Sequence, residues 1–349
     1  MHAIASISQS ALKHNLSVVK KNAPNARIVS MVKANAYGHH IDLIDPIINH
    51  SDLLGVSEIL EVEKLRKTTN QPILLLSGVI KDQELQQAIK LNCQIVIHHK
   101  TQLSIINNTK QSIDIWIKIN TGMNRLGLST NEYKYCIKLL ENNPLINIQC
   151  VMSHFACADE INHPMNQSQL FEFKKSTHAT VKRSIANSAA ILSNSASHFD
   201  YVRPGIMLYG VSPFDIINHN LKPVMQLSAP IISIKIIKTG DSVGYSATWT
   251  ANKPTTVATI GIGYGDGYPR HAKNGTPVLI NNTLCPLIGR VSMDLICVDI
   301  SNINASVGDN AILWGNQQLR IETIAKCSAT IAYELLAGVS SRVTFINAI

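Results

Sequence analysis

Charge is scarce in this chain. Asp, Glu, Lys and Arg make up 15% of its 349 residues, and aromatic residues only 5%. Such low charge beside 45% hydrophobic residues excludes a disordered chain, a coiled coil and a collagen-like repeat. Long apolar runs are also missing. The richest stretches, 72–76 and 231–237, have strand length and fall well short of the ~18–20 residues that span a bilayer. No basic segment leads into a long apolar one over residues 1–15, so no signal peptide is expected. Cys-x-x-Cys pairs are absent as well. The seven cysteines (Cys93, Cys136, Cys150, Cys157, Cys285, Cys297 and Cys327) are odd in number, and several lie in strand-like runs. They read as reduced core thiols of a cytoplasmic protein. Acidic residues are outnumbered, 23 against 31 Lys and Arg, for a net charge of +8. The basic residues are scattered, without a stripe or a nucleic-acid-binding signature, so no nucleic-acid partner is expected. The excess reads as solubility plus attraction for small anions.

What is present is alternation. Between residues 27 and 210 eight β-branched runs (28–32, 53–56, 73–76, 94–97, 113–119, 148–152, 184–186 and 201–202) are separated by segments of helical period, among them 58–67, 83–90, 131–141 and 167–180. Strands alternating with helices imply parallel pairing, because each return needs a crossover connection. Eight such units fit a (β/α)8 barrel of the TIM type, with an open doubly wound sheet as the alternative. After Pro223 the texture changes to short runs (229–237, 255–262, 277–280, 295–300, 341–346) punctuated by Gly, Asn, Asp and Pro, which predicts a mostly antiparallel β domain. Asn281-Asn282 and Val307-Gly308-Asp309 read as turns. The expected division is 1–222 and 223–349, with the first residues free to pair with the β domain.

A barrel carries its site at the carboxyl ends of its strands. Those positions hold a short polar set. Lys33 follows the first barrel strand, Arg125 closes the loop after the fifth, and His154 ends the sixth. Asn187-Ser188 follow the seventh, and Arg203 ends the eighth ahead of Pro204-Gly205-Ile206. Loops after the last two strands are the usual phosphate site of this architecture. A lysine facing such a cradle suggests pyridoxal 5'-phosphate, a cofactor held covalently by a lysine.

The segment Val32-Lys33-Ala34-Asn35-Ala36-Tyr37-Gly38-His39 resembles the cofactor-attachment motif of the alanine racemases. So, in family order, do the segments beginning at Lys118, Ser153, Asn187, Arg203, Gly244, Gly261 and Gly289, together with Tyr333-Glu334-Leu335-Leu336 through Ser340-Ser341-Arg342-Val343. One departure is His40, where the family usually has Gly. The resemblance implies an enzyme that interconverts L- and D-alanine, with Lys33 and Tyr245 as bases on opposite faces of Cα. Lys33 would serve the D enantiomer and Tyr245 the L enantiomer. It also implies that Arg203 meets the cofactor's pyridine nitrogen with His154 bonded to it. Tyr37, Ser188, Gly205, Ile206 and Tyr333 would hold the phosphate, with Asn187 beside them. Arg125 and the Met293 backbone N–H would take the substrate carboxylate, while Tyr264 and Asp294 shape the entrance. Lys118 matches a lysine that is carbamylated in some members, which gives Arg125 an anionic partner. The family completes each site from a second subunit, so a head-to-tail homodimer is implied.

Two other functions fit parts of this pattern. A racemase of broader specificity, for serine, lysine or arginine, would share the fold. A non-catalytic pyridoxal-phosphate carrier would lack the β domain and Tyr245. Metal binding is not expected. The pairs His39-His40 and His98-His99 have no Cys or carboxylate to complete a ligand set.

Overall fold

A computed structural model gives the structure of residues 3–348. After a first strand, β1 (Ile4–Ile7), eight strands close into a parallel barrel. They are β2 (Arg27–Met31), β3 (Leu53–Val56), β4 (Ile73–Leu75), β5 (Gln94–Ile97), β6 (Ile113–Lys118), β7 (Ile146–Met152), β8 (Arg183–Ser184) and β9 (Tyr201–Val202). β2 pairs with both β3 and β9, which closes the ring. Side chains alternate along each strand. One set fills the barrel interior with Val29, Met31, Leu53, Leu74, Val96, Trp116, Cys150, Met152 and Tyr201. The other set, Ile28, Leu54, Ile95, Ile115 and Val151 among it, packs outward in the main core. The single buried donor of Trp116 is satisfied at 2.6 Å by Gln94. The barrel is thus a packed core, and chemistry is confined to its mouth.

The C-terminal strands are β10 (Met225–Ile237), β11 (Ser242–Val243), β12 (Trp249–Thr250), β13 (Thr255–Ile260), β14 (Pro277–Ile280), β15 (Thr283–Ile288), β16 (Ile296–Asp299), β17 (Asn310–Trp314) and β18 (Thr344–Asn347). Eight strands form one sheet in the order β13-β16-β15-β14-β17-β10-β1-β18, and long β10 also pairs with β13. The pairings are antiparallel except β1 with β18. The chain's first strand therefore belongs to its last sheet. Asn281 and Asn282, both with positive φ, form the two-residue hairpin turn between β14 and β15.

The structure moves several predicted edges. The predicted strand 184–186 is Arg183–Ser184, and the predicted helix 167–180 runs from Pro164 to Ser176. Pro164 occupies the first turn, where a missing N–H costs nothing, and His163 caps Met165 N at 3.2 Å. Strands β11, β12, β15 and β17 were not expected, while β1 pairs with the β domain as the first residues were free to do. The two regions are fastened by Arg320, which is buried and donates to the carbonyls of Gly210 (2.6 Å) and Leu221 (3.0 Å). Its ion pair with Glu322 holds the start of a C-terminal helix against the barrel mouth.

Candidate active site

The mouth of the barrel opens into a cavity of about 990 Å³. Lys33 enters it directly after β2, where Val32 leaves the strand conformation. The next four residues, Ala34, Asn35, Ala36 and Tyr37, all have φ between 51° and 58°. This is a left-handed turn built without glycine, at a cost of roughly 1–2 kcal/mol per residue. It points both Lys33 and Tyr37 into the cavity. Nothing in the sequence reading foresaw it.

Lys118 ends β6, and the loop after it folds back through Leu128 N to Lys118 O (2.8 Å) and Asn120 N to Leu128 O (2.9 Å). That return brings Arg125 to the cavity wall. His154, after the neighbouring strand β7, and Arg203, after β9, also reach the cavity. Arg203 is 3% exposed. Its guanidinium donates to the Ser153 carbonyl, to Ser184 Oγ and, at 3.2 Å, to His154 Nδ1.

Four cationic side chains, Lys33, Lys118, Arg125 and Arg203, thus face one space. Burial, followed by repulsion from Arg125, lowers the Lys33 pKa, although Glu61 opposes the shift. Burial and repulsion from Arg203, Arg125 and Lys33 bring Lys118 down to about 8. Burial and the same cations hold His154 well below the ordinary histidine value. Burial lowers Arg203 to about 10, which leaves it charged at neutral pH. A cationic, partly desolvated pocket with a lysine that loses its proton readily suits an anionic ligand and nucleophilic or basic chemistry.

One wall is built to cradle. Ser188 opens a short helix that Asn187 caps by accepting from Ala190 N at 3.1 Å. Ser188 Oγ lies 2.9 Å from Gly205 N. A Cβ at Gly205 would sit 2.5 Å from Tyr37 Oη, so only glycine leaves that hydroxyl its place. Ile206 and Tyr333 complete this side, and burial pushes the Tyr333 phenol up to about 12 and the Tyr37 phenol higher still. Both therefore remain neutral hydroxyls able to donate.

Tyr245, Tyr264, Met293 and Asp294 do not line this cavity. They occupy the C-terminal region, where Tyr245 is 68% and Met293 53% exposed. They form a connected surface. Tyr264 N donates to Ser292 O (3.0 Å), and Gly265 N donates to Met293 O (2.8 Å). Arg342 pairs with Asp294 at 2.6 Å and with Asp266 at 3.3 Å. At the other end of the same loop, Arg290 reaches Ser246 beside Tyr245. The sequence-predicted site is thus split into eleven residues at the barrel mouth and four on an exposed face.

Comparison with known proteins covers both regions of the chain. Residues 7–213 match the family model for the alanine racemase N-terminal domain, and residues 224–347 match that for the alanine racemase C-terminal domain. The chain belongs to the alanine racemase family. It is 82% identical to an alanine racemase of Vesicomyosocius okutanii over 349 residues, covering 100% of this chain and 99% of that relative. It superposes on the biosynthetic alanine racemase from Pseudomonas aeruginosa with a TM-score of 0.95 at 38% identity, covering 100% and 99% of the two chains. The alanine racemase from Bartonella henselae, solved with covalently bound pyridoxal phosphate, gives 0.92 at 30% identity and full coverage of both chains.

Beyond the residues that resemblance to the alanine racemases supplied, the cavity wall includes Asp159, Asp215 and Glu322. Asp159 follows His154 by five residues in the same loop after a barrel strand, so the rule that found His154 reaches it too. It acts on Tyr333, whose pKa it helps to raise. Glu322 had no such signal, because it comes from the C-terminal region through the Arg320 fastening.

Proposed function

We propose that this chain is an alanine racemase that uses pyridoxal 5'-phosphate, with Lys33 and Tyr245 moving the Cα proton on opposite faces of the substrate. The observation that carries this reading is the cavity at the barrel mouth. A lysine with a lowered pKa sits there among Lys118, Arg125 and Arg203, beside a cradle that a Cβ at Gly205 would fill. These residues fit a phosphate-bearing cofactor. Tyr37, Ser188, Gly205, Ile206 and Tyr333 would hold the phosphate, with Asn187 fixing the helix that presents Ser188, and Lys33 would form the covalent link. The chemistry that pyridoxal phosphate supplies when bound is withdrawal of electrons from the substrate's Cα, which makes its proton removable.

The rest is done by the chain's own groups. Lys33, once its amine is free, takes or gives the Cα proton for the D enantiomer. Tyr245 does so for the L enantiomer. Arg203, a donor that cannot accept, would hold the cofactor's ring on its nitrogen side and leave it without a proton source there, which would disfavour competing reactions such as transamination. Its angle is held by His154 and the Ser153 carbonyl. Arg125 offers a forked donor to the substrate carboxylate, and the Met293 N–H a second one. Tyr264 and Asp294 shape the approach.

Tyr245 and Met293 stand exposed and outside the Lys33 cavity. A head-to-tail homodimer, in which each barrel receives these residues from the other chain, brings both bases to one substrate. In this reading residues 1–222 form the cofactor-binding barrel and 223–349 the β domain that serves the partner. No helix among the described residues is long and apolar enough to cross a membrane. All seven cysteines are free, which supports a reducing, cytoplasmic setting. There the product D-alanine would supply peptidoglycan.

The test is direct. Purified protein should be yellow, lose its colour to borohydride, and form D-alanine from L-alanine in an assay coupled to a D-amino-acid oxidase. A colourless protein that takes up no cofactor, or a yellow one without racemisation, contradicts the proposal. A panel of amino acids fixes the specificity, since one methylene in a pocket is worth only ~1–3 kcal/mol.

A further inference from the structure

The left-handed turn that carries Lys33 is strained at four consecutive residues, and none of them is glycine. Its backbone bonds, Ala36 N to Val32 O and Gly38 N to Ala34 O at 2.9 Å, hold its two ends. The Ala36 carbonyl accepts from His39 N at 3.0 Å, and it and the Tyr37 carbonyl are also held by a side chain with no role in the reaction described above. His39 is fully buried, and its Nδ1 lies 3.2 Å from Ala36 O and 3.1 Å from Tyr37 O. A carbonyl oxygen only accepts, so this nitrogen carries the proton and donates to both. The other ring nitrogen, Nε2, is buried and has no partner. Burial also keeps the ring uncharged, with a pKa lowered to about 4.

The same ring makes a second contact. It lies 4.5 Å from the ring of Tyr209, which stacks at 4.9 Å on Tyr37. The Tyr209 hydroxyl donates to Met31 O at 2.9 Å, at the end of β2. His39 therefore holds the far end of the turn directly and, through Tyr209, reaches the strand residue two positions before Lys33.

We infer that His39 is a positioning residue for Lys33 and Tyr37, acting through the Nδ1–H that it donates to the Ala36 and Tyr37 carbonyls. The inference rests on the reading of Lys33 as a proton-carrying group. Without the donor the strained turn relaxes, and the Lys33 amine spreads over positions from which proton transfer is slower. Binding of the alanine carboxylate, assigned to Arg125 and Met293, is left in place.

Three substitutions separate this role from simple packing. His39→Asn puts an amide N–H where Nδ1 stands, His39→Gln puts one where Nε2 stands, and His39→Leu supplies none. With each holoenzyme, kcat per bound cofactor and KM are measured in both directions. Loss of one donated hydrogen bond predicts kcat about tenfold lower for the Leu and Gln variants, with KM for alanine nearly unchanged. The Asn variant should keep most of the wild-type rate. Equal rates across the three variants, or variants that lose only melting temperature, overturn the inference. A measurement on unaltered protein stands beside them. Nitrogen-15 NMR of histidine-labelled holoenzyme should find His39 as the neutral Nδ1–H tautomer, and the Nε2–H form would refute it. Wild-type protein without racemase activity would instead count against the function proposed above, not against the tautomer.

Discussion

Arg203 and His154 meet across 3.2 Å, and the bond can run only one way. A guanidinium has no lone pair to offer, so His154 Nδ1 accepts and its proton sits on Nε2. The two residues come from the ends of different barrel strands, and neither has a carboxylate partner among the described residues. His154 is held neutral by burial and by the cations around it. Arg203 stays a donor and cannot relay a proton onward.

The depressed histidine predicts a definite pH dependence of stability. As pH falls through about 6.5, the unfolded chain binds a proton at His154 while the folded chain does not. Stability present above that pH is then progressively lost below it. Denaturant unfolding at pH 7 and pH 5 should show the loss, and a His154→Asn variant should show a smaller one. An identical pH dependence in the variant contradicts the assignment.

At Gly205 the prediction is steric. Gly205 has φ −121° and ψ −97°, outside the main α and β regions, so Gly205→Ala adds both a methyl group and some backbone strain. That methyl would stand 2.5 Å from Tyr37 Oη and push the hydroxyl out of the cradle. Spectral titration should find pyridoxal phosphate held about tenfold more weakly. Unchanged affinity would remove Tyr37 from the phosphate site.

Replacing Tyr245 with Phe should lower racemisation by about 10²–10⁴-fold, the usual worth of a placed acid or base. Exchange of the Cα proton with solvent should fall unequally when the reaction starts from L- and from D-alanine. Equal, undiminished exchange from both would exclude Tyr245 as a base.

Lys118, brought down to about 8, is partly neutral at physiological pH and can add carbon dioxide, releasing one proton. The resulting carbamate would give Arg125 the anionic partner that the family resemblance implies. Protein equilibrated with 13C-bicarbonate should show a carbamate carbon signal that disappears in Lys118→Ala. If the signal is absent from wild type, Lys118 serves as a cation.

The barrel was legible in the sequence because its strands are buried on both faces and read as β-branched runs between helical segments. The site was legible for the same reason, since Lys33, Arg125, His154 and Arg203 stand just past those runs. Strand β1 was foreseen only as first residues free to pair with the β domain, without bounds or partners. It is four residues long, and its partners lie more than 200 residues away. β15 was missed because Pro286 and exposed Thr283 and Leu284 break the apolar alternation. The left-handed turn at 34–37 leaves no mark either, because Ala and Tyr seldom adopt positive φ. In the folded chain it is contacted by the His39 ring from two residues on and by Tyr209 from far along the chain. The opposing base was named by family resemblance alone, and a single chain leaves it exposed.

The central claim is that each site takes Lys33 from one chain and Tyr245 from another. It is tested by mixing two inactive proteins, Lys33→Ala and Tyr245→Phe, under conditions that exchange subunits. In a mixed dimer with shared sites, one site carries both defects and the other carries neither. Random reassociation of equal amounts should then restore about a quarter of wild-type activity. A mixture that exchanges subunits and stays inactive would place both bases within one chain and contradict the account.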